Sequence, residues 1–318
     1  MRSPPTGPTG PSAVVLLGAQ RFSPSLGAAV SALGVTGKIA TITAGWQERE
    51  LEDDELTEHL GGRAVNLRLH ARGEELFKAD PELRDAHRQR QESLRHRQDF
   101  YRIRLEFELE AERVIRQRSA PPEIVTDEAD GSIEAIRDLD ARHLGLCARI
   151  RNDFESRWHL ADRDSVQSHR AEIKDIVDGC DAVAIAGGHV ATLVNRLTLF
   201  GLGGLIGRRV VFAWSGGAMA ISERIVLFHD DPPQGPGASE ILDAGLALIP
   251  GVVVLPQPET RLRLDRKERV QSLVRRFAPA RCLTLPARSQ VTWKAGVLSS
   301  VSGVTELCLD GEQREPKR

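Results

Sequence analysis

A serine set among small residues at a strand-to-helix junction is placed for nucleophilic chemistry. Ser215-Gly216-Gly217 follows Arg209-Val210-Val211-Phe212-Ala213-Trp214, an apolar, β-branched run that reads as a buried strand. It precedes Ala218-Met219-Ala220-Ile221, which reads as the start of a helix. At so sharp a turn the hydroxyl is pushed out above the sheet, and helix-terminal amides stand near it to receive an oxyanion. Small residues must follow, because the turn leaves no room for a Cβ close to the backbone. A second such turn, Gly187-Gly188-His189, follows the apolar run 182–186. Paired glycines let two amides point at one spot, as an oxyanion hole requires, although an ordinary strand-to-helix turn explains them equally simply.

A serine hydroxyl needs a base. His189 adjoins the glycine pair, and His229 lies in Phe228-His229-Asp230-Asp231, a loop in which Asp230 could orient it. A lone loop histidine is more simply a surface residue. Leu255-Pro256-Gln257-Pro258-Glu259 ends a third strand and adds Gln257 as a binding residue and Glu259 as a carboxylate. Thr43-Ala44-Gly45-Trp46, after an earlier strand, supplies Trp46 as a rim. These turns are expected together at the carboxyl edge of one parallel sheet, where open α/β folds place their sites.

The elements that must hold them alternate. Strands at 13–17, 38–43 and 64–69 are separated by helices at 24–33 and 50–60, which implies a parallel sheet covered on both faces. The alternation stops for about ninety residues. From 80 to 118 the chain is dense in Arg, Glu and Gln, and Phe100, Ile103, Phe107, Ala111 and Val114 recur at helical spacing. Pro121-Pro122 and Gly131 break this pattern within 119–132. Ile133, Ile136, His143, Cys147, Ile150 and Phe154 then mark one face of a second helix. The expectation is a long helical hairpin over 80–159, inserted into an α/β domain formed by 13–79 and 160–311. Residues 1–12 read as a disordered leader and 312–318 as a polar tail. The mixed Arg and Glu of the hairpin describe a solvated, salt-bridged face better than a nucleic-acid surface.

Bulk numbers exclude several classes. The 318 residues carry a net charge of −2, so no strong field points to nucleic acid or to an anionic membrane. No apolar run has the length of a membrane helix. The four cysteines, Cys147, Cys180, Cys282 and Cys308, form no CxxC pair and read as reduced thiols, so the cytoplasm is the expected compartment. No cofactor or metal is expected.

Three segments in order carry a resemblance: Ala186-Gly187-Gly188-His189, then Ala213-Trp214-Ser215-Gly216-Gly217-Ala218-Met219, then Gly245-Leu246-Ala247-Leu248-Ile249-Pro250-Gly251. Together with the closing segment 303–311 they resemble the cyanophycinase and α-aspartyl dipeptidase (dipeptidase E) serine peptidases, of the class I glutamine amidotransferase-like superfamily. The resemblance implies a flavodoxin-like three-layer α/β/α sandwich, Ser215 as nucleophile, and the Gly188 and Gly216 amides as oxyanion donors, with Gly187 beside them in the substrate site. It also implies hydrolysis of peptide or isopeptide bonds beside acidic residues, without metal.

The chain departs from that pattern where the proton relay should stand. The family carries its histidine just after the strand that follows Ile-Pro-Gly. Here Pro256-Gln257-Pro258-Glu259 occupies the place, and no histidine lies downstream. Where an acidic residue is usual, the chain has Thr284-Leu285-Pro286-Ala287-Arg288-Ser289. Two readings stay open. One is a catalytically degenerate relative that binds a small peptide or acidic ligand, or serves as a scaffold, with the hairpin as a surface for a homodimer or a protein partner. The other is an active serine hydrolase with His189, His229 or Glu259 as a non-standard base. Amide transfer is disfavoured, because a serine stands where such enzymes use cysteine.

Overall fold

The computed structural model describes residues 10–232 and 237–317. Of the expected leader, residues 1–9 lie outside the described residues. In chain order the elements are β1 (Ala13–Leu17), α1 (Leu26–Ala32), β2 (Ile39–Ile42), α2 (Asp54–His59), β3 (Ala64–Asn66), α3 (Leu69–Ala79), α4 (Pro81–Arg116) and α5 (Pro122–Trp158). Then come α6 (Asp164–Asp178), β4 (Ala182–Ile185), α7 (Val190–Leu199), α8 (Leu202–Leu205), β5 (Val210–Trp214), α9 (Gly216–Ala220), β6 (Arg224–Leu227) and β7 (Glu240–Ala244). The chain closes with β8 (Val252–Pro256), α10 (Pro258–Arg261), α11 (Lys267–Phe277), β9 (Arg281–Leu285), β10 (Gln290–Lys294), β11 (Val297–Ser302), β12 (Thr305–Leu307) and β13 (Gln313–Arg314).

The central sheet runs β11-β10-β1-β5-β4-β2-β3. β1, β5, β4, β2 and β3 are mutually parallel, and β10 and β11 extend the edge antiparallel. Alternate residues of one strand enter different cores: Val211 and Ala213 join one, Phe212 and Trp214 the other. That is the period-two signature of a sheet buried on both faces, and it explains why these strands read as continuous apolar runs. α1 and α2 cover one face through Leu26, Val30 and Leu56, while α3, α6 and α7 cover the other through Leu76, Ile173 and Leu193. The expected α/β fold with a mainly parallel sheet and a long helical hairpin is the one observed.

Four local expectations are corrected. β8 does not join the central sheet; it pairs in parallel with β9, in a separate sheet ordered β13-β12-β9-β8. After α9 the chain returns through the β6–β7 ribbon, and Leu246 N–H and Leu248 N–H donate to Ala220 O and Ile221 O. β8 therefore starts beside α9 instead of beside β5. The second correction concerns α4. Its stripe of Phe100, Ile103 and Phe107 faces water, and Tyr101 and Leu105 on the opposite side are buried. Pro122 and Gly131 do not interrupt α5, because proline is tolerated at the first helical position and Gly131 stands in open space. Part of the segment 312–318 is a strand, β13, paired with β12.

The hairpin is fastened to the sheet domain by a buried polar network. The Arg276 guanidinium donates to both oxygens of Asp140 at 2.7 Å, and the Tyr101 hydroxyl also reaches Asp140 at 2.7 Å. Ile241 N–H of β7 donates to that hydroxyl. At the hinge Asp80 accepts from Leu83 N–H, from Ser165 and from Arg163, so one carboxylate caps α4 and ties it to the start of α6. Among the described residues no helix is long and apolar enough to cross a membrane.

Candidate functional site

The turn after β5 has the expected conformation. Ser215 lies at φ 51°, ψ −127°, a region that an L-residue enters only under strain. The surroundings force it there. A Cβ on Gly217 would collide with Ile185 O, and one on Gly216 would stand 3.0 Å from Gly188 O. A Cβ on Gly187 would lie 2.6 Å from the Ser215 Cβ and 3.0 Å from Gly216 N. The two glycine turns are thus pressed together, and any side chain in the contact would drive them apart.

A third turn closes the cluster. Gly45, after β2, approaches the glycine pair so closely that a Cβ on it would strike Gly187 O, and one on Gly188 would strike Gly45 O. His189 N–H donates to Gly45 O at 2.7 Å. Gly188 takes φ 101°, which favours glycine, and half-buried Trp46 flanks it, with its Cδ1 3.0 Å from where a Gly188 Cβ would stand. The amides of Gly188 and Gly216 are left unpaired among the described residues, and a Cβ on Gly216 would lie 3.6 Å from Gly188 N. Unpaired backbone amides are able to stabilise a developing oxyanion.

The acid–base candidates are placed differently. His189 is the N-cap of α7: its Nδ1 accepts from Thr192 N–H and lies 2.7 Å from the Thr192 hydroxyl, which also accepts from the Gln47 amide. Gln47 takes φ 58°, ψ −124°, a second strained residue at this edge. The sequence singled out neither Gln47 nor Thr192; the only signal was their nearness to Trp46 and His189. His229 is half-buried, with an Nδ1 that has no hydrogen-bond partner. Asp230 is committed elsewhere, to Arg263 N–H at 2.7 Å and to the Arg269 guanidinium at 2.7 Å, so it does not orient His229.

Gln257 adopts a left-handed conformation (φ 55°) at the start of α10, and Glu259 is exposed two residues later. β8 lies in the second sheet, where Gln257 N–H donates to Leu285 O at the end of β9. Glu259 lines a cavity of about 150 Å³ with Asp230, Asp231, Arg261 and Arg263. The Ser215 hydroxyl forms no hydrogen bond among the described residues. Nor do any described His, Cys, Asp and Glu residues cluster to hold a metal ion.

Glu50 and His87 are further buried ionisable groups. Glu50 accepts from His70 N–H and Ala71 N–H at the start of α3. His87 contacts Arg90 at 3.1 Å and the Asn195 amide at 2.9 Å. Burial first, and the nearby Arg90 and Arg196 charges second, lower its pKa to about 3, so this imidazole stays neutral.

Residues 140–296 match the family model described as peptidase family S51. The matched stretch begins within α5 and contains the Gly187-Gly188 turn, Ser215, the Ile249-Pro250-Gly251 segment and Glu259. The resemblance carried by the sequence motifs is thereby supported, and this region is of serine-peptidase type. Among solved structures, that of a peptidase from an acI-B1 Actinobacterium aligns with 98% of this chain and 95% of that chain, at 12% identity and a TM-score of 0.47. No curated protein matches the sequence.

Proposed function

We propose that this protein is a serine-peptidase-type scaffold that keeps the nucleophile elbow and the oxyanion turn, has lost its proton relay, and binds a small peptide or acidic ligand at Ser215 without efficient turnover. The observation that carries this reading is a Ser215 hydroxyl with no hydrogen-bond partner among the described residues, together with a His189 whose Nδ1 is taken up by Thr192. A neutral hydroxyl attacks a carbonyl poorly unless a base removes its proton as the bond forms. The Gly188 and Gly216 amides would still stabilise a tetrahedral oxyanion. Such amides and binding alone retain only about 10³–10⁴-fold acceleration over water in serine peptidases that lack a triad member. A reducing, cytoplasmic setting fits the four free cysteines, three of them buried.

A fluorophosphonate probe, together with assays on aspartyl dipeptides and cyanophycin, tests the proposal. Weak labelling and no hydrolysis are expected. Strong labelling that disappears in Ser215→Ala overturns it. One observation favours the alternative of an active hydrolase with a non-standard base: the His229 Nδ1 is buried and has no hydrogen-bond partner. Labelling that is strong in the native chain and lost in His229→Gln would establish that reading instead.

A further inference from the structure

The long helix α4 has two faces with different fates. Its inner side is anchored on β7: the Gln98 amide donates to Glu240 at 3.0 Å and to Ile241 O, Arg102 pairs with Glu240 at 3.1 Å, and Tyr101 and Leu105 are buried. The outer side is a stripe in which Phe100, Ile103 and Phe107 are 66%, 54% and 72% exposed. Two phenylalanines and an isoleucine at spacings of three and four, held in water on a fixed helix, make a surface patch that wants a cover.

The charges beside the stripe indicate which cover. With Phe100, Phe107 and Val114 at position a and Ile103 at d of a heptad, Glu92, Asp99 and Glu106 fall at g, and Arg97 and Arg104 at e. Asp99, Glu106, Arg97 and Arg104 form no salt bridge among the described residues, and Glu92 reaches only the exposed Arg95. We propose that this face joins two copies of the chain as a parallel, two-fold coiled coil. In a parallel pair each g residue meets the e residue of the following heptad on the other helix. Glu92 would then face Arg97 of the partner subunit, and Asp99 would face Arg104 of the partner subunit. In an antiparallel pair e meets e and g meets g, which would set arginine against arginine and carboxylate against carboxylate. The charge pattern therefore selects both a second copy and its direction. The seam ends beyond Phe107, where Glu110 occupies d, paired within its own helix to Arg113. Beyond that point Arg113 and Arg118 would meet as like charges.

Sedimentation velocity on the full chain over a concentration series tests the pairing. The native protein is expected to sediment as a dimer at the upper concentrations. Phe107→Glu should weaken self-association by about tenfold or more with an unchanged circular dichroism spectrum. Asp99→Arg should weaken it as well, and the added change Arg104→Asp should restore it, because the reversed pair has the same complementarity. In a Cys308→Ser background, Ile103→Cys should oxidise to a disulfide-linked dimer, since a d residue faces its own copy across a parallel axis. A native chain that stays monomeric throughout overturns the proposal, as does a dimer indifferent to Phe107→Glu or a charge reversal that fails to restore association.

Discussion

Gly187 and Ser215 are in a contact that admits no side chain: a Cβ on the glycine would stand 2.6 Å from the Cβ of the serine. Gly187→Ala must therefore push the β4 and β5 turns apart. A loss of about 1–3 kcal/mol in urea denaturation is expected, the usual penalty for overpacking. Gly131→Ala is the opposite case. It lies in α5 with nothing within 4 Å of its would-be Cβ, and should stabilise by up to about 1 kcal/mol.

Ser215 stores strain that only function would repay. At φ 51°, ψ −127° a glycine rests at ease and a serine does not, at a cost of about 1–3 kcal/mol. Ser215→Gly should raise the calorimetric Tm while removing whatever fluorophosphonate labelling the native chain shows. A fall in Tm would mean that the serine side chain contributes packing that outweighs the strain.

The hairpin's attachment depends on a fully buried ion pair. Arg276 and Asp140 are 3% and 4% exposed, and each satisfies the other with two hydrogen bonds. Removing one partner strands a buried charge. Arg276→Met should therefore cost about 3–5 kcal/mol, measured by chemical denaturation. Replacing both residues with apolar ones of similar volume should cost much less.

Acid should act on the protein in two windows. The folded-state pKa of His87, lowered by burial to about 3, lies below its ordinary value of 6.5. Between those values the unfolded chain binds the extra proton, so stability present above pH ~6.5 drains away as pH falls toward 3. His143, also lowered by burial, acts in the same direction. Asp80 is held near 2 by its hydrogen bonds with Arg163, and its contribution is lost only below about 3.8. Denaturation midpoints at pH 7 and pH 4.5 should converge in His87→Gln relative to the native protein; an unchanged difference would refute the assignment.

The parallel strands β1, β2, β4 and β5 were legible because they are buried on both faces, and burial leaves an apolar run in the primary structure. The glycine turns were legible for a related reason: a collision with a neighbouring backbone demands glycine locally. Sheet membership was not. Val252–Pro256 reads like any buried strand, and only the ribbon that returns from α9 puts it in a second sheet, paired with β9. The α4 helix misleads for an instructive reason. Its most regular apolar stripe is the outer one. The inner face is chosen by polar groups that find partners only in the fold, Tyr101 with Asp140 and Gln98 with Glu240.

The sequence by itself determined the α/β alternation, the long hairpin and the strained serine turn, because each follows from local periodicity and local sterics. Only the tertiary structure decided which side chains surround Ser215. It pinned His189 to Thr192, committed Asp230 to Arg263 and Arg269, and turned Phe100, Ile103 and Phe107 outward. These are long-range pairings of polar groups, and their partners are fixed by packing between elements far apart in the chain.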